Sequence, residues 1–169
     1  SGEDYMKIDE PAKLLTNSQI DYDIVPEDYL DCAAVENRQL KLNQETYRVF
    51  LMPYAKRLPR AVVEKLYDFA LNGLPVWCID GKPEATCKGD LIPADMLAQF
   101  QVIALEKLPI AMRYQGFEDV TALGENTEHL RVYHYSRGGG HALMLTNEGI
   151  HGNVKAMLSV RDFSGGEFV

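Results

Sequence analysis

The sequence has few of the residues that build metal sites or disulfide frameworks. Its three cysteines, Cys32, Cys78 and Cys87, form no C-x-x-C motif and cannot all pair within one chain. Its four histidines form no H-x-x-x-H motif. Structural zinc sites and disulfide scaffolds depend on such spacings. We therefore expect no disulfide framework, no metal and no cofactor.

Long apolar runs and positive charge are also scarce. No apolar run reaches the roughly 18 residues that a membrane-spanning helix needs. No basic segment followed by an apolar stretch opens the chain, so we expect no signal peptide in it. The net charge of −8 opposes binding to phosphate backbones and anionic lipids. Nucleic acid and membrane are therefore not expected as partners.

The first third of the chain shows short helix, strand and turn patterns. A helix is predicted around Pro11, ending near Asn17. The alternation in IDYDIV predicts a strand over residues 20–25, and EDYLD predicts a helical turn after it. The segments QLKL and YRVFLM, residues 39–42 and 47–52, predict a hairpin. The second arm is the more apolar and should be buried on both faces, as in a parallel sheet.

The middle of the chain alternates helices with strands. The clearest helix opens at Pro59 and should close at Gly73, because glycine readily adopts the left-handed conformation after a helix. Its apolar face consists of Val62, Val63, Leu66, Phe69 and Ala70. Strands are predicted over 74–79, 100–104 and 118–123, with helices over 94–99 and 105–116 between them. This alternation predicts an α/β fold with a doubly wound parallel sheet in a flavodoxin-like three-layer arrangement.

From Thr127 the pattern changes to strands alone. HLRVYHY, HALMLT and VKAMLSV predict three antiparallel strands, with a tight hairpin turn in the glycine run that begins at Gly138. These strands would begin or complete a β-sandwich. We predict an α/β domain over residues 1–124, lacking its first strand, and a β segment over 125–169. The opening helix and the Ser1-Gly2 pair indicate a piece of a longer protein.

The stretch NGLPVWCIDGKPE places Cys78 where a buried strand opens into a loop, as a catalytic nucleophile would be. Such an elbow needs small neighbours and a following helix, whose N-terminus lowers the thiol pKa. Trp77 and Ile79 are bulky, and Gly81 comes too late for the sharp turn. No histidine is followed two residues later by a carboxylate. The histidines are His129, His134, His141 and His151. We therefore interpret Cys78 as a core residue.

Other motifs have ordinary explanations. Cys87 beside Lys88 has no base nearby. Acidic pairs at strand ends and turns are more often solvated than catalytic. The pairs are Asp21/Asp23, Glu27/Asp28 and Glu118/Asp119. SRGGGH lacks the following helix of an anion-binding loop, and strand tyrosines such as Tyr133 and Tyr135 are more often core than sugar platforms. We therefore expect no catalytic residue in this chain.

One loop is a candidate ligand site, because open α/β sheets bind ligands beyond the C-terminal ends of their strands. The candidate ligand-binding residues follow two predicted strands. They are Tyr54, Asp80, Gly81, Lys82 and Glu84. In this hypothesis the chain is a carbohydrate-binding module, and the loop binds the sugar.

Three longer runs carry a resemblance to a known family. They are IDYDIVPEDYL, then ENRQLKLNQETYRVFLMPYAKRLPRAVVEKLYDFALNGLPVWCIDGKPE, and HLRVYHYSRGGGHALMLTNEG. Together they resemble a glutamine-amidotransferase-like accessory module of large bacterial glycoside hydrolases, including α-L-rhamnosidase-like and β-galactosidase-like enzymes. In those enzymes the module is non-catalytic, follows the catalytic part and leads into a β-sandwich.

The resemblance implies a function and partners. The chain would scaffold or orient a catalytic domain, with the catalytic and β-sandwich domains of the same parent chain as partners. A homo-oligomer and a carbohydrate are further partner hypotheses, and the parent would be a bacterial periplasmic or secreted hydrolase. Two alternatives stay open. One is a cysteine-dependent amidotransferase or peptidase-like hydrolase that uses Cys78, and the other is the carbohydrate-binding module.

Overall fold

A computed structural model describes residues 4–150 and 152–161 of the chain. Ser1-Gly2 and His151 lie outside the described residues. The chain forms two compact units, the first from Ser1–Pro11 and Asp23–Ala111, the second from Ala12–Tyr22 and Met112–Val169. In the described ranges, no helix has the length and apolar character to cross a membrane.

The structure contains both α-helices and β-strands, and most of them are short. The α-helices are α1 (Asp9–Asn17), α2 (Arg60–Leu71), α3 (Ala94–Ala98) and α4 (Leu108–Tyr114). Short 3₁₀ helices cover Glu27–Cys32, Leu105–Lys107 and Thr127–His129. The strands are β1 (Ala34–Glu36), β2 (Gln39–Leu42), β3 (Glu45–Tyr47), β4 (Phe50–Met52), β5 (Arg57–Leu58), β6 (Val76–Ile79), β7 (Ala85–Thr86), β8 (Gln101–Ile103), β9 (Val120–Glu125), β10 (Leu130–Arg137), β11 (Gly140–Asn147) and β12 (Lys155–Val160).

The first unit contains a parallel sheet in the order β4-β6-β8. All four residues of the central strand β6 are buried, as a continuous apolar run predicts for a parallel strand. Val76 and Cys78 pack in one hydrophobic cluster with Leu66 and Phe69 of α2. The predicted α/β character and the parallel sheet are therefore confirmed, although the fold is mixed and contains antiparallel as well as parallel sheets.

Helix α2 follows the sequence prediction closely. It begins after Pro59 and ends before Gly73, whose φ of +88° is the left-handed conformation expected after a helix. The predicted apolar face is buried at Val63, Leu66 and Phe69. The helix therefore forms where amphipathic spacing, the proline and the glycine all favour it.

Four further sheets are present in the described ranges: a parallel pair, β5-β7, in the first unit, and three antiparallel sheets. The first unit contains β1-β2-β3, and the second unit contains the pairs β9–β12 and β10–β11. The turn between β10 and β11 has positive φ at Gly138 and Gly139, +57° and +80°, as a two-residue hairpin requires. The two pairs of the second unit bury one apolar cluster. Its buried members are Val120, Ala122, Leu130 and Val132, with Leu143, Val154, Leu158 and Val160 partly buried against them.

Two strand predictions near the start of the chain are wrong. Residues 20–25 are irregular: Ile20 is buried, but Tyr22 and Ile24 are exposed. Alternating residues form a strand only when a neighbour supplies hydrogen bonds, and none pairs with this described segment. The predicted strand over 47–52 is interrupted at Arg48 and Val49. Its first part, β3, pairs antiparallel with β2, which confirms the predicted hairpin, whereas its second part, β4, joins the parallel sheet.

The strand predicted over 118–123 also has a different partner from the expected one. It forms as β9, but it pairs antiparallel with β12, from Val120 opposite Val160 to Glu125 opposite Lys155. It therefore does not extend the parallel sheet. The flavodoxin-like arrangement and the domain boundary after residue 124 stay predictions.

Candidate functional site

The predicted ligand loop lies at the C-terminal edge of the parallel sheet, where two of its residues meet. The ring of Tyr54 lies so close to Gly81 that a Cβ atom there would be 3.1 Å from two ring carbons. Lys82 donates from Nζ to the carbonyl oxygen of Leu97 at 2.5 Å. Glu84 is exposed, and its backbone N–H donates to the carbonyl oxygen of Lys56 at 2.9 Å.

Asp80 occupies the sharp turn at the end of β6. Its φ is +61°, the left-handed conformation that aspartate tolerates better than most residues. Its Oδ1 accepts a hydrogen bond from the backbone N–H of Leu105 at 2.8 Å, at the start of a 3₁₀ turn. The elbow position after this strand therefore carries an aspartate whose carboxylate binds the first backbone N–H of the Leu105–Lys107 turn, which follows β8.

The thiol of Cys78 lies two residues before that turn, inside the core. Its residue has no exposed surface. Burial raises the pKa of the thiol to about 11, and the charge of Lys82 opposes this only in part. A thiol that stays protonated at neutral pH is a poor nucleophile.

A second group of polar residues, not predicted from the sequence, lies in the second unit. His134 is on β10 and its side chain is only 10% exposed. Its Nδ1 lies 2.5 Å from Oδ2 of Asp119, and its Nε2 lies 2.9 Å from Nδ1 of His141. The three side chains form one hydrogen-bonded chain that ends at the exposed His141.

The two imidazole rings meet edge to edge. Their centroids are 5.1 Å apart and their planes differ by 24°, while the two nitrogens between them are only 2.9 Å apart. With Asp119 ionised, one arrangement satisfies every hydrogen bond between neutral rings: Nδ1–H of His134 donates to Asp119, and Nδ1–H of His141 donates to Nε2 of His134.

Hairpin register explains why the two histidines meet. His134 is opposite Leu143, and Ser136 is opposite His141, so the histidines are diagonal neighbours on one face. This is the face on which Val132 is buried, which explains the burial of His134. Asp119 immediately precedes β9, and its carbonyl oxygen accepts from the backbone N–H of Arg161 at 2.8 Å.

The neighbouring Glu118 is not the solvated turn residue that the sequence predicts. Its side chain is 15% exposed, and Nε of Arg113 lies 3.9 Å from its Oε2. Thr121 donates to its Oε1 at 2.7 Å, and the guanidinium of Arg161 donates to its carbonyl oxygen. Glu118 and Asp119 are therefore bound to different partners and do not form an acid/base pair of the glycosidase type.

The Asp119–His134–His141 chain was missed because its members are far apart along the sequence. The one available signal was the Gly138–Gly139 turn, which sets the hairpin register and puts both histidines on one face. Among the residues of known placement, no group of three or more His, Cys, Asp or Glu is arranged to hold a metal ion. Comparisons with known protein families, curated proteins and solved structures gave no match.

Proposed function

We propose that this chain is a non-catalytic accessory domain of a glycoside hydrolase, which scaffolds or orients a catalytic domain outside residues 1–169. One observation carries the proposal. An amidotransferase-like scaffold holds its cysteine at the strained turn after a parallel strand. Here that turn holds Asp80, engaged in a structural hydrogen bond, and Cys78 is buried with a raised thiol pKa.

Two features of the fold support the proposal of a flavodoxin-like layer and a β-sandwich. Helices α2 and α3 connect the parallel strands β4, β6 and β8, as they would in a flavodoxin-like, glutamine-amidotransferase-like layer. The pairs β9–β12 and β10–β11 share one apolar cluster, as two facing sheets of a β-sandwich would. We propose both assignments together with the resemblance from which they come.

The first test is hydrolysis by the purified chain. We expect no release of nitrophenol from aryl rhamnosides or galactosides and no release of ammonia from glutamine. Ammonia release that disappears in Cys78→Ala would instead establish the cysteine-dependent alternative. Glycoside hydrolysis that survives in that variant would contradict the accessory role directly.

The second test concerns the parent protein. We expect the reading frame that encodes this chain to encode a glycosidase catalytic domain as well. Deleting residues 1–169 from that protein should lower its melting temperature or its kcat/KM. A parent whose stability and kinetics are unchanged by the deletion would contradict a scaffolding role.

Carbohydrate binding is a second candidate, favoured by two exposed tyrosines. Tyr133 and Tyr135 are 44% and 57% exposed, contrary to the core position expected from the sequence. They lie on the same face of β10, about 7 Å apart along the strand, with Met144 opposite Tyr133. Calorimetric titration with oligosaccharides tests this candidate, and Tyr135→Ala should remove any binding at this face.

The loop at Tyr54 and Asp80–Glu84 stays a second predicted ligand site. The same titration tests it, and Lys82→Ala is the variant that should remove binding at this loop.

A further inference from the structure

We propose that Asp119, His134 and His141 form a pH-sensitive latch, which ties the β10–β11 hairpin to Asp119 at neutral pH and releases His141 when both imidazoles are protonated. Histidine is the side chain that ordinarily changes its charge between pH 5 and pH 8. The proposal does not depend on the accessory role, because it concerns residues of the second unit alone.

Two of the three groups are held in place, and the third can move. His134 is largely buried, and its Nδ1 lies 2.5 Å from Oδ2 of Asp119. The backbone of Asp119 is held in turn, because its carbonyl oxygen accepts from the N–H of Arg161 at 2.8 Å. His141 is exposed at the end of these hydrogen bonds, so its ring can turn without disturbing the core.

The contact between the two rings tolerates one added proton and not two. In the neutral pair, one N–H lies between His134 and Asp119 and one lies between the rings. A first added proton goes to Nε2 of His141, and both hydrogen bonds remain. A second goes to Nε2 of His134, so two N–H groups then face each other across the 2.9 Å between the nitrogens, and neither has an acceptor. The hydrogen bond is lost, and the ring of His141 must turn away.

The surrounding charges favour the same outcome. Asp119 supplies one negative charge, which balances one imidazolium but not two. The neighbouring carboxylate, Glu118, has Arg113 as its own partner, with Nε of the arginine 3.9 Å from its Oε2. The guanidinium of Arg161 binds the carbonyl oxygen of Glu118, and both arginines stay charged throughout this pH range. Two positive rings in contact therefore repel each other without a second counter-charge.

Proton uptake by this pair makes stability depend on pH. In the unfolded chain, His134 and His141 are independent, and each takes up a proton as pH falls through the ordinary imidazole range at about 6.5. The folded second unit takes up the second proton only when the latch opens. Below that range the unfolded chain binds more protons than the latched fold, so stability falls as pH falls. A difference of one proton lowers the folding equilibrium constant by up to about tenfold per pH unit.

The test is a titration of the full chain from pH 8 to pH 5, followed by ¹H–¹⁵N NMR of the imidazole groups and by urea denaturation. At pH 7.5 we expect both rings as Nδ1–H tautomers, because that arrangement satisfies both hydrogen bonds. As pH falls, the pair should take up its two protons in separate steps, at least about one pH unit apart. His129 is the matched control. Its Nε2 lies 3.8 Å from Oε1 of Glu128, and it should titrate in one step.

His141→Gln separates the latch from a purely structural contact, because glutamine can hydrogen-bond but does not titrate. Between pH 6.5 and pH 5 the folding equilibrium constant of the unaltered chain should fall at least about threefold more than that of His141→Gln. His129→Gln should fall as the unaltered chain does. Equal pH dependence in His141→Gln and the unaltered chain, or uptake of both protons by the pair in a single step, would overturn the proposal.

Discussion

Two side chains of the first unit hold their protons more strongly than usual. Burial raises the pKa of Cys78 from 9.0 to about 11. Partial burial, then the hydrogen bond and charge of Asp23, raises the pKa of Tyr47 above its usual range. For both groups the unfolded chain releases its proton at lower pH than the folded chain does. Each therefore contributes stability below the unfolded pKa and loses it as pH rises towards the folded value.

Alkylation should distinguish Cys78 from the other two cysteines. At pH 7.5 we expect iodoacetamide to modify Cys32 and Cys87, which are exposed, and to leave Cys78 unmodified in the native chain. Peptide mass spectrometry gives the site of each modification, and labelling in urea is the control, because all three should then react. Native labelling of Cys78 as fast as Cys87 would contradict a buried, protonated thiol.

The raised pKa of Cys78 also makes a prediction about stability. The free energy of unfolding should fall between pH 9 and pH 11, and a value that does not fall in this range would contradict the raised pKa.

Removing the hydroxyl of Tyr47 should weaken the first unit slightly at neutral pH. Its O–H donates to Oδ2 of Asp23 at 2.6 Å, and such a hydrogen bond contributes about 0.5–1.5 kcal/mol. Tyr47→Phe should lower the free energy of unfolding by that amount at pH 7, and by less above pH 10, where the unaltered chain loses this contribution. Urea denaturation of both proteins at pH 7 and above pH 10 tests this prediction. Tyr29→Phe, at an exposed tyrosine, should have no measurable effect.

Among the elements, α2 contributes most clearly to the core of the first unit. Leu66 has no exposed surface, whereas Leu71 on the same helix is 59% exposed. Leu66→Ala should cost about 2–5 kcal/mol, from lost burial and the cavity left behind. Leu71→Ala should change stability by less than about 0.5 kcal/mol. Equal effects in urea denaturation would mean that α2 packs through a different face.

The pairing of β9 with β12 depends on one glycine. A Cβ atom on Gly124 would lie 1.9 Å from the carbonyl oxygen of Lys155, and its φ is +155°. Gly124→Ala should therefore destabilise the second unit by at least about 1–3 kcal/mol, because the strand must move or strain. The hydrogen-exchange rates of the β12 amides should also rise. Gly138→Asn is the control, because nothing lies within 4 Å of that Cβ position and asparagine tolerates a φ of +57°.

For the whole molecule, the net charge of −8 makes a simple prediction. Phosphate backbones and anionic vesicles should not bind it at about 0.1 M salt, because the long-range interaction is repulsive. Fluorescence anisotropy with labelled single-stranded DNA and co-sedimentation with phosphatidylserine vesicles measure this. Binding that weakens steeply with added salt would reveal a basic surface that the net charge does not indicate.

Local patterns were sufficient to predict α2, β6 and the hairpin turn. Helix α2 is specified by its own apolar spacing and by Pro59 and Gly73 at its ends, and β6 by a run of apolar residues. The turn needs only the positive φ that Gly138 and Gly139 adopt easily. In each case the decisive interactions lie within a few residues, so the sequence carries the information directly.

Partners distant along the chain were decided by tertiary structure. The sequence predicted strand β9 itself. It did not predict that β9 pairs with β12 and not with the parallel sheet, because that pairing depends on contacts between segments distant along the chain. Residues 20–25 alternate like a strand and form none, because no strand within residues 4–150 or 152–161 pairs with them. The approach of Asp119 to His134 is of the same kind. The hairpin turn determines that His134 and His141 share a face, whereas only the packing of the two strand pairs brings Asp119 to the buried ring and makes a site from three dispersed residues.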